Sequence, residues 1–403
     1  MLPADIEEIT SDHIVALITE KVSERRVLEY KESLPGGSDL EKKEFLADVC
    51  SFANASGGDI IYGISDERGT DGRATGLPES IMGLPDESLP ADCARLEAII
   101  REGIKPRVPR IQTKTVRVEG YGAVILIRIG RSWAKPHMVT YKGTSRFYSR
   151  HSSGKYQLDV QEIGQAFAEQ RGLGEELRSW RTGRLSLQLS DEGPVRLRGP
   201  ARLLVYFVSV AALAERRIVG SWPLPESIKS TLKTSSGDNG AMRRYNADGF
   251  LRYCQPDDRG MCASYVQLFR YGCLEYADGE ILNAGRYYGA GREAEIPSQS
   301  FEELLVDIYD NALLAINAVP VEDPVYFSCA LTGVQGLRLS QSGNAFVDHG
   351  ARHTFDRHVI QTPEALVDRS ETRPYRTSLL PIVNSIWQAN GYEQTPLIRN
   401  WQK

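Results

Sequence analysis

The chain has 403 residues, a formal net charge of −5, 41% hydrophobic and 25% charged residues, which suits two domains of ordinary globular composition. No apolar run reaches the roughly 18 residues of a membrane-spanning helix; the longest, LLVYFVSVAAL at 203–213, reads as a buried strand. The acidic start MLPADIEEIT lacks a signal peptide's pattern, and six cysteines without a CxxC pair argue against a zinc ribbon or thioredoxin-type site and predict buried free thiols in a reducing, cytoplasmic compartment.

Ile9, Ile14, Leu17 and Ile18 fall near helical spacing and predict an amphipathic helix over 5–21. The strand VLEYK follows, then the loop LPGGSD. Ser38 or Asp39 caps a helix from about 40 to 54, with Leu46, Val49, Cys50 and Ala53 on its apolar face. Gly57 and Gly58 stop that helix; they also permit a backbone approach to phosphate. DIIYGIS reads as a strand, DERGTDG as a turn, 89–104 as a helix, and 112–132 as a hairpin about Glu119-Gly120. TYKGTSRFYSR suggests short strands, and a helix covers 158–171. This is one α+β domain, 1–172.

The polar stretch 173–184 reads as a linker to a second α+β domain, 185–403. That domain shows strands at LSLQL and RLLVYFVSV, a hairpin in YVQLFRYGCLEYADGE, a strong amphipathic helix over 301–318 and a strand at PVYFSCAL. Its function is not legible; a sensor or dimerisation role is the expectation. No internal repeat occurs.

Charge is unevenly spread. Residues 101–155 hold thirteen Lys and Arg against two acids, whereas residues 1–100 hold nine against twenty-one. The basic stretch offers candidate phosphate contacts in Lys114, Arg117, Arg131, Lys135, Lys142, Arg146, Arg150 and Lys155. Trp133, Tyr141, Phe147 and Tyr148 are interleaved and suit base stacking. The competing reading is that the two halves neutralise each other within one domain, with some of these aromatics in the core.

The stretch SERRVLEYKES, residues 23–33, places Glu24 and Glu29 either side of an apolar pair, with Lys31 next. Glu29 and Lys31 share a strand face, and Asp66 sits where the next strand runs into its turn. Convergence of the three carboxylates would raise their pKa values. A hard divalent cation, Mg²⁺ or Mn²⁺, would relieve that repulsion and polarise a phosphodiester, with Lys31 steadying developing charge. The alternative is a helix-flanking Glu24, a solvated Glu29 and a turn-forming Asp66.

The array SERRVLEYKES … FANASGGDIIYGISDE … ATGLP … YSRHSSGKY resembles the Schlafen AlbA-2 domain over roughly residues 15–170. The family pattern is E-x4-E-[YF]-K, then a helix ending in FAN-x-x-GG, then a strand ending in G-[IV]-x-D. The resemblance implies a mixed sheet with packed helices. In nuclease-competent members, two glutamates and an aspartate form a metal-dependent RNA endonuclease site that cuts tRNA. Those positions fall on Glu24, Glu29 and Asp66. Other members are DNA-binding, regulator-like proteins, and some keep the fold without activity. His151, after Arg150, departs from the family's usual glycine. A role in bacterial antiphage defence and a homodimer that completes a two-lobed cleft are further expectations. A non-catalytic DNA-binding regulator and a ligand-sensing assembly protein are the alternatives. No GxxxxGK[ST] occurs, which argues against P-loop chemistry.

The last constellation is DHGARHTFDRH, 348–358. His349 and His353 have a His-x3-His spacing that suits zinc, with Asp348 or Asp356 helping. Gly350 weakens the helix this would need, so a solvated loop or recognition surface is the reading.

Overall fold

The computed structural model describes residues 2–3, 5–70, 74–85, 88–152, 154–235, 240–287, 295–321, 323–340, 353–367 and 378–396. The chain divides into two compact units, Met1–Gly172 and Leu173–Lys403. Among the described residues, no helix is long and apolar enough to cross a membrane.

The first expected helix is broken in two. A 3-10 turn at Ile6–Glu8 precedes α1, Ser11–Thr19. The break falls at Thr10, whose backbone N–H donates to His13 Nδ1 at 3.1 Å and so begins the new helix. After β1, Leu28–Lys31, comes α2, Asp39–Asn54. Its N-terminus is a reciprocal cap: Glu41 N–H donates to Ser38 Oγ and Ser38 N–H to Glu41 Oε2, both at 3.2 Å. At its far end Gly57 and Gly58 have φ of 71° and 150°. A Cβ on Gly57 would lie 2.5 Å from the Arg131 backbone nitrogen, and one on Gly58 2.5 Å from the Val27 carbonyl oxygen. The pair therefore ends the helix and lets two other backbone segments close in.

Strands β2, Gly58–Tyr62, and β3, Ile64–Arg68, divide the single strand expected there. The expected turn also begins later, because Asp66 to Arg68 stay extended and β3 pairs with β4, Ala74–Ile81. Helix α3, Leu89–Gly103, β5, Ile104–Lys105, and the hairpin of β6, Ile111–Val118, with β7, Gly122–Ile129, follow. Then come β8, Met138–Val139, β9, Arg146–His151, and β10, Gly154–Gln157.

The main sheet has the order β1-β2-β7-β6, with β1 parallel to β2 and the other pairs antiparallel. This is the mixed sheet expected. Both faces are covered, so β7 reads as a nearly continuous apolar run. Ile60, Ile125 and Ile127 pack with Leu46, Phe52 and Leu96 on one face. Ile61, Val124 and Leu126 pack with Ile14 and Leu17 of α1 on the other. A second sheet, β10-β9-β8-β5, is antiparallel.

Helix α4 runs Val160–Leu189, through both the expected linker at 173–184 and the expected strand LSLQL. Leu177, Arg181, Arg184, Leu185 and Gln188 are buried at helical spacing, and this stripe overrides the local alternation of leucines.

In the second unit, β11, Arg202–Ser209, is followed by α5, Val210–Glu215, and α6, Glu226–Thr231. Strands β12, Met242–Tyr245, β13, Gly249–Tyr253, β14, Ser264–Phe269, and β15, Leu274–Asp278, come next. After α7, Ala284–Tyr287, β16, Glu295–Ile296, and α8, Ser298–Ala318, are β17, Val325–Thr332, and β18, Arg338–Leu339. The last elements are β19, Val359–Gln361, β20, Ala365–Val367, and α9, Leu380–Ala389.

The large antiparallel sheet is ordered β12-β13-β14-β15-β11-β17-β19, with β20 also on β17. Phe207, Leu305, Tyr309 and Trp387 belong to its apolar core. On α4, Arg184 forks onto Glu275 at 2.7 and 2.8 Å, and the Tyr265 hydroxyl donates to the same carboxylate at 2.5 Å. The architecture is α+β throughout. All six cysteines are free; four are buried and Cys93 and Cys254 are half-buried.

Candidate functional site

Strand β1 presents Glu29 and Lys31 on one face, and Lys31 Nζ lies 2.6 Å from Glu29 Oε1. The second Glu29 oxygen accepts from Arg150 Nη1 at 2.7 Å. Arg150 comes from β9 and is 3% exposed, its guanidinium 3.7 Å from the Phe52 ring centre. Asn54 fixes this approach. Its amide donates to the His137 and Tyr148 carbonyls at 2.8 Å each, and its oxygen accepts the His137 N–H at 2.7 Å. The FAN element thus ties α2 to the segments that carry β8 and β9.

A row of alternating charges continues outward. Lys31 Nζ lies 3.6 Å from Asp48 Oδ2, and Lys155 Nζ lies 2.6 Å from Asp48 Oδ1. Lys155 also pairs with Glu44. Asp48 is 2% exposed, on α2.

Glu24 stands just before β1. Its backbone N–H donates to Gly76 O at 2.6 Å, and its Oε1 accepts the Tyr30 N–H at 2.7 Å. Asp66 lies on β3, and its Oδ1 is buried without a hydrogen-bond partner.

The electrostatics divide the acids into two kinds. Burial pushes Glu24 up to about 7; the Tyr30 N–H opposes this, while the Asp66 and Glu29 charges reinforce it. Burial also raises Asp66, opposed by Lys31 and reinforced by Glu29. Burial acts upward on Glu29 too, but Lys31 and Arg150 outweigh it and hold that carboxyl below its usual range. Lys31 is held above its usual value because Asp48 and Glu29 outweigh its burial. Asp48 is raised by burial and by Glu29, against the two lysines. Glu29 is therefore a neutralised anion, whereas Glu24 and Asp66 are acids whose burial the nearby cations do not offset.

The model of the family Schlafen, AlbA_2 matches residues 24–159. The N-terminal part of this chain is a Schlafen AlbA_2 domain. No curated protein matches the chain. Among solved structures, the N-terminal domain of a RecG-related protein from Nitrosomonas europaea is 16% identical with a TM-score of 0.28, covering 38% of this chain and 94% of that one. The DIP2311 protein from Corynebacterium diphtheriae is 19% identical with a TM-score of 0.23, covering 36% of this chain and 26% of that one.

Within the AlbA_2 domain the eight basic candidates separate. Arg150 is buried on Glu29. Lys114 donates to the Glu7 carbonyl and Lys135 pairs with Glu169 at 2.8 Å. Arg131 stacks 4.0 Å from the Trp133 ring centre, and Arg117 is exposed. Lys142, Arg146 and Lys155 gather on one side. Arg146 and Lys155 line a cleft of about 560 Å³, and Lys142 is on the turn beside it, 4.0 Å from Asp39 Oδ2. Of the aromatics, Trp133 is buried, Tyr141 donates to Asp39, Phe147 meets Phe167 edge-on, and Tyr148 lines the cleft. His151 stacks on Tyr156 at 4.2 Å.

Sequence reading missed Asp48 and Asn54 as site residues. A lone aspartate inside the apolar face of FLADVCSFAN was the available signal, because buried carboxylates are nearly always paired.

His349, Asp348 and Gly350 lie outside the described residues. His353 packs edge-on against Tyr392, and 353–358 is not helical. Among the described residues, no group of three or more His, Cys, Asp or Glu side chains is arranged to hold a metal ion.

Proposed function

We propose that the AlbA_2 domain is a metal-dependent endonuclease acting on RNA, with tRNA the first substrate class to test. The observation that carries this is the uncompensated burial of Glu24 and Asp66: one acid raised to about 7, the other raised and holding an unpartnered buried oxygen. Their hard oxygens fit Mg²⁺ or Mn²⁺, an ion commonly held by one or two carboxylates together with waters and substrate phosphate. Glu24 and Asp66 would hold it. Glu29, the third carboxylate expected, has both oxygens in ion pairs and acts through Lys31 and Arg150.

When bound, such an ion supplies Lewis-acid polarisation of a phosphoryl oxygen. The protein's own groups do the rest. Lys31 stays charged and is oriented by Glu29 and Asp48, a fixed cation for the negative charge that grows on the phosphate. Arg150 fixes Glu29 and so fixes Lys31. A homodimer, formed through the second unit, would supply a second AlbA_2 domain to embrace a folded RNA.

Mn²⁺ titration followed by electron paramagnetic resonance tests the ion site. Glu24→Gln and Asp66→Asn should each lose binding, and unchanged binding in both rejects it. A second reading, nucleic-acid binding without catalysis, is favoured by one observation: the occupied Glu29 oxygens.

A further inference from the structure

Apart from the acid cluster, α2 and the loop leading into β9 border the cleft of about 560 Å³. Lys43, Arg146 and Lys155 line it with the hydroxyls of Thr144 and Ser145, and Glu44 is the acid among its lining residues. Three cations face two carboxylates, Glu44 in the lining and the buried Asp48 behind Lys155, and the net positive charge with the Thr144 and Ser145 hydroxyls is anion-binding chemistry. The volume is that of a small-molecule site, room for one nucleotide.

Lys155 shows how the cleft would work. Asp48 anchors its ammonium from the buried side at 2.6 Å, with 3% of the aspartate side chain exposed. Glu44 meets the same ammonium from the open side, with 64% of its side chain exposed. An ammonium has three donors, and an exposed ion pair contributes little. An arriving phosphate can therefore take the place of Glu44 while Asp48 keeps Lys155 in position.

We propose that this cleft binds the phosphate of a nucleotide, with Lys43, Arg146 and Lys155 as its cations and Glu44 as the internal anion it displaces. The choice of ligand rests on the nucleic-acid reading above. It does not depend on cleavage.

The test is fluorescence anisotropy on the full chain in EDTA, with a short fluorescein-labelled single-stranded RNA. Arg146→Ala and Lys43→Ala should each weaken binding by roughly fivefold or more, as lost charge-assisted contacts do. Each should also lower the log–log salt slope by about 0.7. Glu44→Gln should tighten binding about twofold or more, because the competing carboxylate is gone; a merely structural Glu44 would not move affinity in that direction. Lys105→Ala, an exposed lysine that does not line the cleft, should leave binding unchanged.

Competition with a 5′-mononucleotide separates the two sources of phosphate. Displacement only at far higher concentration than the RNA assigns the cleft to a strand, and displacement at equal concentration assigns it to a free nucleotide. Parent-like binding by Arg146→Ala and Lys43→Ala, or unchanged or weaker binding by Glu44→Gln, overturns the proposal. Because EDTA removes divalent ions, these outcomes are independent of whether the acid cluster cleaves RNA.

Discussion

The Glu29 carboxylate and the Arg150 guanidinium meet at 2.7 Å across 121 positions of sequence, both buried. Removing one partner of such a pair strands the other charge inside the protein and typically costs about 3–5 kcal/mol. Arg150→Ala should fall at the low end, since Lys31 still holds the other Glu29 oxygen. Arg146→Ala, four residues earlier and exposed, should change stability by under about 0.5 kcal/mol. Urea unfolding of the two variants checks the contrast, and equal midpoints would remove Arg150 from its structural role.

Glu24 makes folding depend on pH. Its pKa is raised in the folded state, from 4.5 to about 7, so its protonated form favours the fold. That contribution is complete below about pH 4.5 and is lost as pH rises through 7. Glu24→Gln should therefore match the parent near pH 4 and exceed it at pH 8, by on the order of 1 kcal/mol after allowance for solvent screening at a partly exposed site. The same proton competes with a cation, so Mn²⁺ affinity should rise up to about tenfold per pH unit below 7 and level off above. Denaturation midpoints at the two pH values, and Mn²⁺ titrations across the range, read both effects. Affinity flat from pH 5 to 8 would contradict the assignment.

Much of this site is written locally. The capping pair Ser38 and Glu41, the apolar face of α2, the glycines after it and the shared strand face of Glu29 and Lys31 all follow from short-range spacing. Arg150 was less legible. A strand's period of two tells that alternate residues face apart, but not which face another element will cover. On composition Arg150 looked like its exposed neighbours; only packing against Phe52 and Glu29 sets it apart. The stretch 173–189 failed for the converse reason. Its leucines alternate as in a strand, while the residues that decide its structure include Arg181, Arg184 and Gln188, polar side chains that find buried partners on β14, on β15 and in the segment after β19.

Asp48 should act on Lys31. It is the largest influence raising that lysine's pKa, after the opposing effect of burial. Asp48→Asn should move the Lys31 pKa back down toward the ordinary lysine value and destabilise the domain by about 1–3 kcal/mol, the cost of a weakened buried polar contact. Heteronuclear NMR titration of the lysine side chains measures the shift. No movement at Lys31 would mean that Glu29 alone orients it.

In the second unit, Arg184 and Glu275 form a buried bidentate pair. Arg184→Met and Glu275→Gln should each cost about 3–5 kcal/mol, and the double variant clearly less than their sum. A thermodynamic cycle from chemical denaturation decides this, and strict additivity would show that the two side chains do not interact.

The central claim is that Glu24 and Asp66 hold a catalytic cation. Incubation of the full chain with total tRNA and Mn²⁺, beside Glu24→Gln and Asp66→Asn, tests it most directly. The account predicts that the parent cuts RNA only with the ion present and that each variant loses roughly 100-fold or more in rate, the scale of losing one electrostatic stabiliser. Variants that cut as fast as the parent, or a parent that leaves RNA intact with Mn²⁺ in excess, would contradict it.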